Sequence, residues 1–277
     1  MEDLKESTLP KQSEVRHSQN AQSFVSDEGA DGERRVIKRL LIDGHVHVHE
    51  SYNEAAFLTA AHANLSRHGE GMPTLLLAEM PRQQVFARWR DGIAPWPVTV
   101  TREPSSLVLG GRLLVIASRQ IVTLERIEVL AVACIENIAM GLTLDATIAA
   151  IQEVGAVPVL PWGVGKWAGE RGRLVANAAA RYSLLLGDNA GRPFGWPRPA
   201  LFREHVVLPG TDPLWLKTEQ ERVGTYGFVL EGHFDSDRPA AGVVNALQNL
   251  TQSPPVFGNR VGPYGFLRQQ LGLRFSR

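Results

Sequence analysis

Short, unbroken apolar runs place the strongest constraint on this chain. Arg39-Leu40-Leu41-Ile42, Thr74-Leu75-Leu76-Leu77-Ala78 and Val157-Pro158-Val159-Leu160 lack the polar alternate positions of a half-exposed strand. Such runs suit strands covered on both faces, as in a parallel sheet. Stretches with helical spacing separate them. Residues 52–68 carry apolar positions at Ala56, Leu58, Ala60 and Leu65. Residues 144–154 form a clearer helix, with Thr143 as N-cap, Asp145 in the first turn and Gly155 as the stop. A helix over 169–181, strands over 183–186 and 206–208, and helices over 240–250 and 264–273 complete the pattern. Strands alternating with helices predict parallel βαβ units and an α/β fold. Residues 96–134 depart from that rhythm. They read as strands over 98–101, 106–109, 113–118 and 127–134, with a turn at Gly110-Gly111.

The chain has 277 residues and equal numbers of basic and acidic side chains, 29 each. Residues 1–34 are polar and acidic without apolar periodicity and are expected to be a disordered tail, leaving 35–277 as a single domain. Charge neutrality argues against nucleic-acid binding and against binding to a membrane surface, which both favour a basic excess. No apolar stretch is long enough to span a bilayer, and the N-terminus lacks the apolar core of a signal peptide. The one cysteine, Cys134, lies in an apolar run and reads as a core residue. The expected setting is the cytoplasm.

Asp43-Gly44-His45-Val46-His47-Val48-His49-Glu50 follows the first apolar run. In a strand, residues two apart share a face, so His45 and His47 would present two imidazoles side by side. Imidazole is a common ligand for zinc and related metals. In barrels of parallel strands, chemistry collects at the C-terminal strand ends. Those ends supply Glu79, Arg119-Gln120, the segment from Pro161 to Trp167 with Lys166, Asp188-Asn189 with Arg192, and Asp212. His45, His47, Glu79 and Asp212 are therefore the expected metal ligands, with Asp212 or Glu79 as general base. Lys166, Arg192, Asp188 and Asn189 are the expected substrate contacts, and Lys166 and Arg192 suit an anionic small molecule. Gly163-Val164-Gly165-Lys166 is not a nucleotide P-loop. Leu160 stands where the first glycine is needed, and Trp167 replaces the Ser or Thr after the lysine.

The order of these motifs resembles the polymerase and histidinol phosphatase (PHP) family over residues 36–235. The shared features are the strand ending in Asp-Gly-His-x-His, an acidic residue ending the second strand, the β-rich middle, the unit "TLDATIAAIQEVGAVPVL" and a late Gly-Thr-Asp. The resemblance implies a distorted (β/α)7 TIM-like barrel with a β-rich insertion, a cluster of up to three divalent metals, and phosphoester hydrolysis. His45 and His47 match the family's opening pair, Glu79 falls where the family has an Asp or His ligand, and Asp212 matches the late aspartate. Gln120 falls near the bridging glutamate, Pro161-Trp162 at the His-Pro, and Leu214 at the late histidine. With those positions replaced, one ion rather than three is expected, Zn or Mn by ligand type.

Three readings follow. The first is a metal-dependent hydrolase, a phosphoesterase in kind, using a metal-activated water. The second is a catalytically degenerate PHP-like barrel that binds a small molecule or a partner. The third is an amidohydrolase-type enzyme, whose superfamily also opens with His-x-His.

Overall fold

The computed structural model describes residues 36–267. The expected tail over 1–34 lies outside them, as does most of the closing helix expected over 264–273; residues 263–267 are helical. Besides residues 263–267, the described residues form eleven strands and five α-helices: β1 (Val36–Val46), α1 (Glu54–Ser66), β2 (Met72–Glu79), α2 (Val85–Arg90), β3 (Val98–Val100), β4 (Ser106–Leu109), β5 (Leu113–Val122), β6 (Glu128–Val132), α3 (Leu144–Glu153), β7 (Val157–Pro161), α4 (Glu170–Tyr182), β8 (Leu185–Asn189), β9 (Val207–Gly210), β10 (Tyr226–Asp235), α5 (Pro239–Gln248) and β11 (Val256–Gly258). Single 3-10 turns at Ala200–Arg203 and Lys217–Arg222 flank β9.

All strands belong to one sheet, ordered β11-β10-β1-β2-β5-β6-β7-β8-β9, with β3 and β4 branching from β5. The sheet curls until β9 meets β1, giving a nearly closed, barrel-like α/β fold. It is richer in strands and more mixed in direction than seven βα repeats. β1–β2, β2–β5, β7–β8 and β8–β9 are parallel, whereas β5–β6, β6–β7 and β1–β10 are antiparallel. For β6 the reason is local. β5 and β6 are joined by residues 123–127, too few for the crossover that a parallel pair needs.

Three apolar clusters show how the sheet is covered. The inner one gathers Leu40, Ile42, Leu76, Ala78, Leu114, Ile116, Leu130, Val159, Leu185, Leu208 and Phe228 from strands all around the barrel. Ala240, Val243 and Leu247 of α5 join it. Helix α5 touches both β10 and β7, strands five places apart in the sheet, so it lies across the end where β1 begins. Glu103 caps its start by accepting from the N–H groups of Ala240 and Ala241. Outside the barrel, α1 and α2 cover the outward residues of β1, β2 and β5. Helices α3 and α4 cover those of β6 to β8. Thr143 caps α3 through its side chain, as its sequence predicts. No helix among the described residues is long and apolar enough to cross a membrane.

Candidate metal centre

Strict alternation along β1 would send His45 and His47 the wrong way. Leu40 and Ile42 face the interior, and Leu41 faces the outer helices. Continuing that parity would put 44, 46 and 48 inside. The β1–β2 register shifts between Asp43 and Val46, however, and Val46 packs with Leu41 in the outer layer. One bulge therefore turns both histidines into the barrel mouth, the re-aiming for which bulges are used.

The bulge sits where the barrel closes. A Cβ on Gly44 would lie 2.6 Å from the carbonyl oxygen of Pro209, and one on Gly210 would strike the backbone of His45. The absence of both side chains lets β1 and β9 touch. Asp43, completely buried, ties this seam. Its carboxylate accepts from Thr211 N (2.8 Å), Thr211 Oγ1 (2.5 Å) and Gly224 N (2.8 Å). Burial pushes its pKa up to about 6 despite those donors.

The same seam positions Asp212. Its N–H donates to the carbonyl of His45 at 2.8 Å, and its φ is 44°, a region uncommon for any residue but glycine. Three side chains staple the following loop to the one after β1. His49 Nε2 lies 2.9 Å from the Pro213 carbonyl, Tyr52 donates to the Leu214 carbonyl, and Ser51 donates to that of Trp215 at 2.5 Å.

The resulting group is compact. His45 Nε2 and His47 Nε2 are 2.9 Å apart, and Asp212 Oδ1 lies 3.7 and 3.6 Å from them. The histidines are buried and Asp212 nearly so. Burial, then the neighbouring His45, hold the pKa of His47 down to about 3 against the pull of Asp212. Burial works to raise Asp212, but His45, His47, Lys166 and His49 outweigh it and keep the carboxyl below its usual range. A neutral imidazole on His47 and an ionised carboxylate are the forms that ligate metals. Nitrogens at the usual ~2.0–2.1 Å from one ion stand about 2.9 Å apart at a right angle and about 3.4 Å apart in a tetrahedron. His45, His47 and Asp212 could therefore hold a metal ion.

Strand parity sorts the other expected site residues. Gln120, on the inner side of β5 with Ile116, brings Oε1 to 3.1 Å from His45 Nε2. Asn189, at the end of β8, donates its amide to Asp212 Oδ2. Lys166 pairs with Glu128, which shares the inner side of β6 with Leu130.

Glu79 does not join the group. It shares the outward side of β2 with Leu75 and Leu77, accepts from Phe86 N at 2.8 Å, and pairs with Arg119 at 3.3 Å. It caps the start of α2, a helix that the chain's periodicity does not reveal. Asp188 points outward too. It is held by Arg192 (2.8 and 2.6 Å) and by the Tyr226 hydroxyl (2.8 Å), so Arg192 is buried in an ion pair beneath the mouth. Asp43, Glu128 and Tyr226 are the participants that motif spacing misses. A parity count would have found Glu128, two residues before the inward Leu130. A cleft of about 660 Å³ lies at the opposite end of the barrel, beside Val157, Leu185 and Leu247.

No family model matches the chain, and no curated protein matches it. The fold is similar to the crystal structure of PsfC from Pseudomonas syringae PB-5123, with a TM-score of 0.57 and 14% identity, over 86% of this chain and 99% of that one. At that identity the likeness concerns the fold alone.

Proposed function

We propose that the chain is a metal-dependent hydrolase of a phosphoester, a divergent PHP-like barrel in which His45, His47 and Asp212 hold one ion. On this reading the fold derives from a (β/α)7 barrel, with the strands from β3 to β6 as its β-rich elaboration. The observation that carries the proposal is the convergence of two buried Nε2 atoms 2.9 Å apart with a carboxylate oxygen from the far edge of the sheet. Three protein ligands leave positions free for water and substrate, as in catalytic sites.

A divalent cation held by His45, His47 and Asp212, Zn or Mn for this donor set, would supply Lewis acidity and a source of hydroxide near neutral pH. The chain's own groups do the rest. Asp212 presents one oxygen to the imidazoles while Asn189 engages the other. Gln120, with Oε1 turned to His45, offers its amide hydrogens to a substrate oxygen. Lys166, paired with Glu128 on the inner wall and near enough to lower the pKa of Asp212, would attract an anionic small-molecule substrate.

The test is elemental analysis of protein purified without added metal. The expectation is about one Zn or Mn per chain, absent from a His45→Ala, His47→Ala double variant. Unchanged metal content in that variant overturns the proposal.

A second reading, a barrel that has lost catalysis and binds a ligand or partner, is favoured by Gln120. At 3.1 Å its amide satisfies His45 without any cation. A folded protein with no calorimetric affinity for metal selects that reading. Turnover of amides or lactones without phosphoesters would select amidohydrolase chemistry instead.

A further inference from the structure

We propose that Asn189 is a positioning residue that fixes which oxygen of Asp212 faces the two imidazoles, and so limits Asp212 to one-oxygen ligation. This rests on the reading of His45, His47 and Asp212 as metal ligands. β8 sends Leu185 inward, and by parity Asn189 as well, whereas Asp188 turns outward.

The amide of Asn189 has one orientation. The N–H of Gly191 can only donate, and it points at the Asn189 side chain from 2.5 Å, so the atom facing it is Oδ1. Nδ2 is thereby committed to Asp212 Oδ2. The backbone beneath is equally fixed. The Asn189 N–H donates to Asp188 Oδ1 at 2.9 Å, and Arg192 and Tyr226 donate to that carboxylate in turn. A continuous set of contacts thus runs from Arg192 and Tyr226 through Asp188 and Asn189 to Asp212.

Its consequence at the site is that Oδ2 is occupied and Oδ1 alone stands 3.7 and 3.6 Å from the imidazole nitrogens. A carboxylate without this partner is free to rotate or to chelate with both oxygens, filling a position that water or substrate needs. Partners that orient a ligand in this way typically change metal affinity about 10- to 100-fold when removed.

Two variants separate positioning from a role in the turn. Asn189→Ser keeps an oxygen for the Gly191 N–H but is too short to reach Asp212. Asn189→Leu removes both contacts. The full chain and both variants are titrated with Mn²⁺ and with Zn²⁺ by calorimetry, alongside thermal melts and the visible spectrum of the Co²⁺-substituted protein. The expected result is at least about 10-fold weaker binding for Asn189→Ser with its melting temperature unchanged, and an altered Co²⁺ band pattern from the displaced carboxylate. Asn189→Leu should match that affinity loss and also melt lower. If Asn189→Ser binds metal as the wild type does, the positioning role is overturned while the ligand assignment stands. If the wild type itself binds no metal, both fall.

Discussion

Strands β1 and β2 lie side by side, run in the same direction and each finish in side chains able to ligate a cation, yet their ends do opposite things. β1 turns His45 and His47 into the mouth, where they meet Asp212. β2 turns Glu79 outward, where it caps α2 and pairs with Arg119. The difference is one bulge. β2 keeps its alternation from Leu75 to Glu79, whereas β1 changes parity between Asp43 and Val46. Arrival at the correct end of a barrel is therefore insufficient; the side chain must also occupy the inward phase of its strand.

The contrast can be broken at the joint that makes it. Asp43→Ala leaves the N–H groups of Thr211 and Gly224 buried without an acceptor. The expected loss is about 3–5 kcal/mol, read by urea unfolding, together with loss of metal binding as the β1–β9 seam loosens. Gly44→Ala places a Cβ 2.6 Å from the Pro209 carbonyl oxygen. The seam must then spread, at about 1–3 kcal/mol in the same measurement.

Glu79→Gln sharpens the comparison from the other side. Metal affinity should be unchanged and stability at neutral pH should fall by about 1 kcal/mol or less. Burial raises the pKa of Glu79 above 4.5 in the folded chain. Its contribution is thus fully present below the unfolded value and is lost as pH rises through the folded one. The stability of wild type relative to Glu79→Gln should shrink between pH 4 and pH 7, and a difference that grows over that range would contradict an outward, buried carboxyl. The smallest effect concerns Cys134, buried in the outer cluster beneath α3 with its thiol pKa raised by burial. A disulfide reagent at pH 8 should leave it unmodified until the protein is unfolded.

Much of this was written in the chain itself. The continuous apolar runs located β1, β2 and β7, and Thr143 with Gly155 located α3, because burial on both faces and helix capping act locally. The His-x-His pair and the late Asp212 were legible as a candidate group for a similar reason: few residue types can ligate a metal, and their positions at strand ends were readable. The parity of Glu79 and Asp188 was not. In strands covered on both faces, such as β2 and β8, the two phases are equally apolar, so the strand's own residues do not say which phase faces inward. α2, β10 and β11 also escaped detection, since α2 is short and β10 gains its identity by pairing with β1 more than 180 residues away. The reversal of β6 follows from the tight β5–β6 connection, which the apolar pattern of the strands does not express.

Helix α5 lies across the barrel end where β1 starts and fills it with Ala240, Val243 and Leu247. A cylinder stoppered in this way is closed at that end. On the proposed reading, substrate and product would share the opposite mouth, so a slowly departing product would stand in the path of the next molecule. In the proposed hydrolase, turnover in such a vessel would be exposed to inhibition by its own product.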